Sequence, residues 1–111
     1  MSRNQMSVQE REWRSKLSQL VHGRPLVRAT VNVRHVTCGK AGCRCAQGER
    51  HRAFYLVCNV EGKRRQLFIP SELEEEARQW VANYQSAMAL LEKLSERGWQ
   101  ELKRRKERND T

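Results

Sequence analysis

Cys38, Cys43, Cys45 and Cys58 follow the spacing C-x4-C-x-C-x12-C, and five residues separate Cys45 from His51. Three of these cysteines and the histidine fall within fourteen residues, threaded by Gly39, Gly42 and Gly48. Thiolates and imidazole are the ligands that zinc prefers, and four of them close a tetrahedral structural site. Glycines supply the backbone angles that folding a short loop around an ion demands. Lys40, Arg44, Arg50 and Arg52 surround the cluster and lower the cost of bringing thiolates together. Met1 to Gln9 lacks the apolar stretch of a secretory signal, so the chain is expected in the reducing cytoplasm, where disulfides are a poor account of the cysteines. The spacing therefore predicts a zinc knuckle with Cys38, Cys43, Cys45 and His51 as ligands. Cys58 is the alternative fourth ligand; it sits between Val57 and Asn59 in a strand-like run, where a small buried thiol is the ordinary role. His35, three residues before Cys38, is an outside candidate, and His22 lies beside a helix stop.

The second chemical signal is charge. The chain has 111 residues and a net charge of +9. Residues 22–66 hold ten basic residues against Glu49 and Glu61, an excess of +8, while residues 67–96 are net −4 and residues 97–111 net +3. Charge so localised points to an anionic partner, and nucleic acid is the commonest one. The candidate phosphate contacts are Arg28, Arg34, Lys40, Arg44, Arg50, Arg52, Lys63, Arg64 and Arg65, followed by Lys103, Arg104, Arg105 and Lys106 near the end. Phe54 and Tyr55 are neighbours, so in a strand one faces the core and the other is offered to stack on bases. Enzyme signals are missing. There is no Ser/His/Asp ordering, no Gly-Lys-Ser/Thr loop, and no carboxylate pair outside the helix start at Glu72–Glu76, so the chain reads as a non-enzyme.

These residues need elements to hold them. Ser7 to His22 has apolar residues at helical spacing (Val8, Trp13, Leu17, Leu20) and stops at Gly23 and Pro25. Leu26 to Val36 alternates, with Val27, Ala29, Val31 and Val33 inward and Arg28 and Arg34 outward, as in a half-buried strand. Phe54–Val60 and Arg64–Ile69 are two further strands, joined at Glu61-Gly62 as an antiparallel hairpin with Lys63 to Arg65 at its tip. Ser71, with Glu74 three residues on, has the pattern of a capping box opening a long helix. Along that helix Leu73, Ala77, Trp80, Tyr84, Ala87, Leu91 and Leu94 form a coiled-coil-like seam for a neighbouring helix, the sheet or a second copy. The expected fold is α+β: an N-terminal helix (1–22), a β-rich knuckle and hairpin (23–70), a long helix (71–102) and a basic tail (103–111) in one domain. Size excludes large catalytic barrels, and no apolar run is long enough to span a membrane.

The run Cys38-Gly39-Lys40-x2-Cys43-Arg44-Cys45-x2-Gly48-x2-His51, then Phe54-Tyr55, Gly62-Lys63 and Trp80-Val81-Ala82-Asn83-Tyr84, resembles a small prokaryotic and phage family of unknown function. The resemblance spans roughly residues 23–95 and departs from the family after His51, where Arg52-Ala53 replaces the usual Gly-Pro. It implies that Cys38, Cys43, Cys45 and His51 act as a unit, in proteins found near mobile elements. The combined expectation is a small basic zinc-knuckle protein that binds DNA or RNA as an accessory factor of a phage or mobile element. The alternative is a protein-interaction module: a helix-mediated dimer, or an inhibitor or adaptor of a larger, nucleic-acid-processing complex.

Overall fold

A computed structural model describes residues 6–36, 42 and 51–109. Its elements run α1 (Val8–Gly23), β1 (Thr30–Val36), β2 (His51–Val60), β3 (Lys63–Ile69) and α2 (Glu74–Asn109). This is the α+β arrangement expected from the sequence. The chain divides into two compact units. Val27–Val81 holds the sheet and the opening turns of α2; Met1–Leu26 with Ala82–Thr111 holds α1 and the rest of α2.

Three antiparallel strands make one sheet in the order β1-β2-β3, so β2 is central and paired on both sides. Its alternation sorts the two faces. Phe54 lies opposite Val33 and Ile69, and Leu56 opposite Val31 and Leu67. Phe54, Leu56 and Ile69 are buried with Ala77 and Val81 of α2, and Val27, Ala29 and Val31 pack against them. The guanidinium of Arg78 lies 4.8 Å from the Phe54 ring centre and covers it from the helix side. Val33, expected inward, is on the core side but 40% exposed. The strand at Leu26 starts later than expected, at Thr30. The reason is a competing partner: the Val27 N–H donates to the Trp80 carbonyl of α2 at 3.2 Å and not to the sheet. β2 starts earlier than expected, at His51, because its pairing with β1 extends to Val36.

In the other unit α1 and α2 run antiparallel. Leu20 is buried with Ala87 and Leu90, and Leu17 and Trp13 pack against them. Further along, Trp13 lies under Lys93 and Arg97, and Arg97 donates to the Gln9 side chain at 2.8 Å. Buried Asn83 donates to the Pro25 carbonyl at 3.2 Å, so the chain leaving α1 is tied to α2.

The two helix starts differ from expectation. Ser7 has extended backbone and its Oγ accepts from the Glu10 N–H at 3.1 Å, a true N-cap. The capping box expected at Ser71 does not form. Ser71–Leu73 is a short 3-10 turn closed by the Leu73 N–H on the Pro70 carbonyl, and Ser71 Oγ donates to Glu72. Glu74 is instead paired with Arg52 of β2, Nη1 to Oε1 at 2.5 Å. α2 therefore begins at Glu74, and it runs unbroken through Gly98 and the basic tail to Asn109. Of the expected seam, Ala77 and Ala87 are buried, Trp80, Tyr84 and Leu94 are half-buried, and Leu73 and Leu91 are exposed; Val81 and Leu90 are buried in their stead.

Candidate nucleic-acid interface

With Phe54 and Leu56 turned to the core, alternation puts Tyr55 and Val57 on the other face of β2. Register then fixes their neighbours. Asn32 and Phe68 flank Tyr55, Thr30 and Gln66 flank Val57, Arg64 lies opposite Asn59, and Arg34 opposite Ala53. One face of the sheet thus carries the buried side chains packed against α2, with Lys63 and Arg65 toward the turn end, and the other is aromatic, polar and basic. Tyr55 and Phe68 meet edge to face, with ring centres 5.7 Å apart and planes at 66°. The Arg34 guanidinium lies 4.5 Å from the Tyr55 ring centre and is held there by a hydrogen bond to Gln66 Oε1 at 2.6 Å. Arg28 donates across to the Asn59 carbonyl at 3.1 Å. Arg34 is therefore set over Tyr55, while Arg64, by register, and Arg28, by its hydrogen bond, meet at Asn59, four residues along β2 from the aromatic pair.

The remaining basic residues are distributed elsewhere. Lys63, Arg64 and Arg65 open β3 directly after the Glu61-Gly62 turn, as expected, and alternation turns Lys63 and Arg65 to the other side from Arg64. Arg52 is engaged by Glu74, whose hydrogen bond and charge hold its pKa above the ordinary arginine value. Near the end of α2, Arg104 and Arg105 both donate to Glu101, at 2.6 Å and 3.0 Å. That pairing pulls the Glu101 carboxyl below its ordinary range, with the Arg104 hydrogen bond the largest cause. Lys103 and Lys106 are exposed on the same helix. Lys40, Arg44 and Arg50 lie outside the described residues.

Cys38, Cys43 and Cys45 also lie outside the described residues, and among the described residues no cluster of three metal-ligating side chains occurs. The two candidates for the fourth ligand are well separated. His51 is the first residue of β2, paired with Val36, from which Cys38 is two residues away. Cys58 is seven residues along the same strand, about 23 Å from His51, with its Sγ 3.6 Å from the Asn59 carbonyl. A single ion cannot be held by both. Among the described residues no helix is long and apolar enough to cross a membrane.

A family model described as a domain of unknown function (DUF6788) matches residues 4–79. The chain belongs to this family. The match covers α1, the whole sheet and the opening of α2. No curated protein and no solved structure matches the chain.

In this DUF6788 chain, sequence reasoning reached Tyr55, Arg28, Arg34 and Arg64 but missed Phe68 and Gln66. The signal was present. A two-residue turn at Glu61-Gly62 pairs Val60 with Lys63, and counting back from that pair sets Phe68 beside Tyr55. Glu74 was likewise read only as a capping residue, since its partner Arg52 is distant in sequence.

Proposed function

We propose that this DUF6788 chain is a small cytoplasmic nucleic-acid-binding protein whose contact surface is the open face of the sheet. The observation that carries the reading is the face opposite the core, where Arg34 lies over Tyr55 beside Phe68, and Arg64 and Arg28 meet at Asn59 further along β2. Charge there has no structural task in the core, and arginine suits phosphate through its planar set of donors. Zinc bound by Cys38, Cys43, Cys45 and His51 would act as a structural staple beside β1 and β2, supplying fixed geometry and no chemistry. His51 is the better fourth ligand because it and Val36 sit at the end of the sheet where the cysteine segment leaves and returns. A place as an accessory factor of a phage or mobile element is supported by the sequence resemblance.

Binding measured across a salt series tests the reading. Affinity at low salt should fall steeply as salt rises, because each neutralised phosphate releases counterions. Replacing Arg28, Arg34 and Arg64 together by Gln should weaken binding about 10- to 100-fold and flatten the salt slope by about three phosphates. Unchanged binding and slope in that variant would sink the proposal.

A second reading, a protein-interaction module, is favoured by one observation. Met88, Leu91, Trp99 and Leu102 are exposed along α2, Trp99 at 71%. A stripe of large apolar side chains left open to water marks an interaction surface. Light scattering on wild type and Leu91→Glu separates the cases: self-association abolished in the variant supports a helix-mediated dimer, and a monomer throughout rejects it.

A further inference from the structure

We infer that the open face of the sheet takes single-stranded nucleic acid, stacking bases on Phe68 and on the Arg34–Tyr55 pair. The inference rests on the nucleic-acid reading above and specifies its ligand.

Phosphate attraction alone explains the arginines but not the rings. Phe68 is 53% exposed on a face with few aliphatic neighbours to pack it. A hydrophobic side chain so placed adds nothing to an electrostatic contact with duplex phosphates. It is useful against an unpaired base, which has a π-face of its own. In a duplex those faces are already stacked on each other, and a broad strand surface does not enter a groove to reach the base edges as a helix or a two-stranded ribbon does. A β-sheet face with exposed aromatics is instead suited to splayed-out bases.

The geometry supplies two platforms. Tyr55 and Phe68 stand at 66° to each other, so they do not form one flat surface and each serves a separate base. Phe68 offers its ring directly. Tyr55 is covered on one side by the Arg34 guanidinium at 4.5 Å, and a guanidinium plane is itself a stacking surface for a base. Gln66 holds Arg34 over the ring by its 2.6 Å bond, so this second platform exists before the ligand arrives. Arg28 and Arg64 lie further along the same face, placed for the phosphates of a strand crossing it. Charge and stacking thus complement the two features that a single strand exposes together.

The test is fluorescence anisotropy with a labelled oligonucleotide of about ten nucleotides, as single-stranded RNA, single-stranded DNA and a duplex of the same sequence. Wild type should bind a single strand more tightly than the duplex. Phe68→Leu and Tyr55→Leu should each weaken single-strand binding about tenfold and leave duplex binding unchanged, while Tyr55→Phe should bind as wild type. Ring signals of Phe68 and Tyr55 should shift on titration with the single strand. Equal loss for both forms, or no loss in either Leu variant, overturns the inference. A wild type that binds only duplex also overturns it, but leaves the nucleic-acid reading standing; one that binds nothing at low salt removes both. If Tyr55→Leu fails to fold, Phe68→Leu, altered at an exposed position, decides the matter.

Discussion

Glu61 and Gly62 both have positive φ, 51° and 78°. Left-handed backbone at both central residues is the signature of the type I′ hairpin turn, whose twist matches the strands it joins. These two residues set the pairing of β2 with β3 and thereby place Phe68 beside Tyr55, not beside Phe54. Slipping by one residue would turn Phe68 into the core and Ile69 outward. Glycine occupies this conformation freely, whereas Glu61 carries a Cβ penalty there. No atom lies within 4 Å of a Cβ added at Gly62, so a substitution there acts through backbone conformation only. Gly62→Ala should destabilise by about 1 kcal/mol in urea unfolding. Glu61→Asn should stabilise by about 0.5 kcal/mol, since Asn tolerates the left-handed region better. A Gly62→Ala variant as stable as wild type would reject the turn type.

Elements were legible where pattern is local and less so where a distant partner competes. Helix α1, the alternation of β1 and the hairpin turn can all be read from neighbours in sequence. Ser7-Val8-Gln9-Glu10 and Ser71-Glu72-Leu73-Glu74 both have a serine followed three residues later by Glu, yet only Ser7 caps. The difference is Arg52, which takes Glu74, and Pro70, whose carbonyl closes a 3-10 turn; both effects depend on tertiary placement or fine backbone geometry. Ser7→Ala should therefore cost about 1 kcal/mol, and Ser71→Ala should be near neutral in the same thermal melts. Equal costs would contradict the assignment. The basic tail illustrates the same point in reverse. Too polar to pack, the tail is nonetheless helical to Asn109, and Glu101 accepts from Arg104 and Arg105 one turn on and supports it. Because the Glu101 carboxyl titrates below its ordinary value of about 4.3, its support is complete above that pH and is lost as pH falls through the lower folded value. Amide protection over residues 98–109, corrected for the pH dependence of intrinsic exchange, should fall on acidification in wild type, and Glu101→Gln should show the lower protection already at neutral pH. Identical pH profiles in the two proteins would show that the pairing contributes nothing.

At the scale of the whole chain, charge and metal chemistry are linked. The +8 excess across residues 22–66 includes Lys40, Arg44 and Arg50 close in sequence to three cysteines. If those cysteines bind zinc as thiolates, three negative charges reduce +8 to +5 before the metal's own charge is counted. Zinc and its thiolates together then stand at −1, so the basic surface keeps nearly all of its excess. Metal loading should accordingly leave affinity for nucleic acid governed by Arg28, Arg34 and Arg64 of the sheet. The core of that unit is small, with Phe54 its largest fully buried side chain, so a structural ion would add substantially to its stability. Purified protein should contain one zinc per chain by elemental analysis, and chelation should lower the melting temperature by about 10 °C or more. His51→Ala and Cys43→Ser should lose the metal, whereas Cys58→Ser, about 23 Å along β2 from His51, should keep it. Zinc retained in His51→Ala but lost in Cys58→Ser would move the fourth ligand to the strand interior. Its absence from wild type purified without chelator would remove the staple and leave the sheet face to be tested alone.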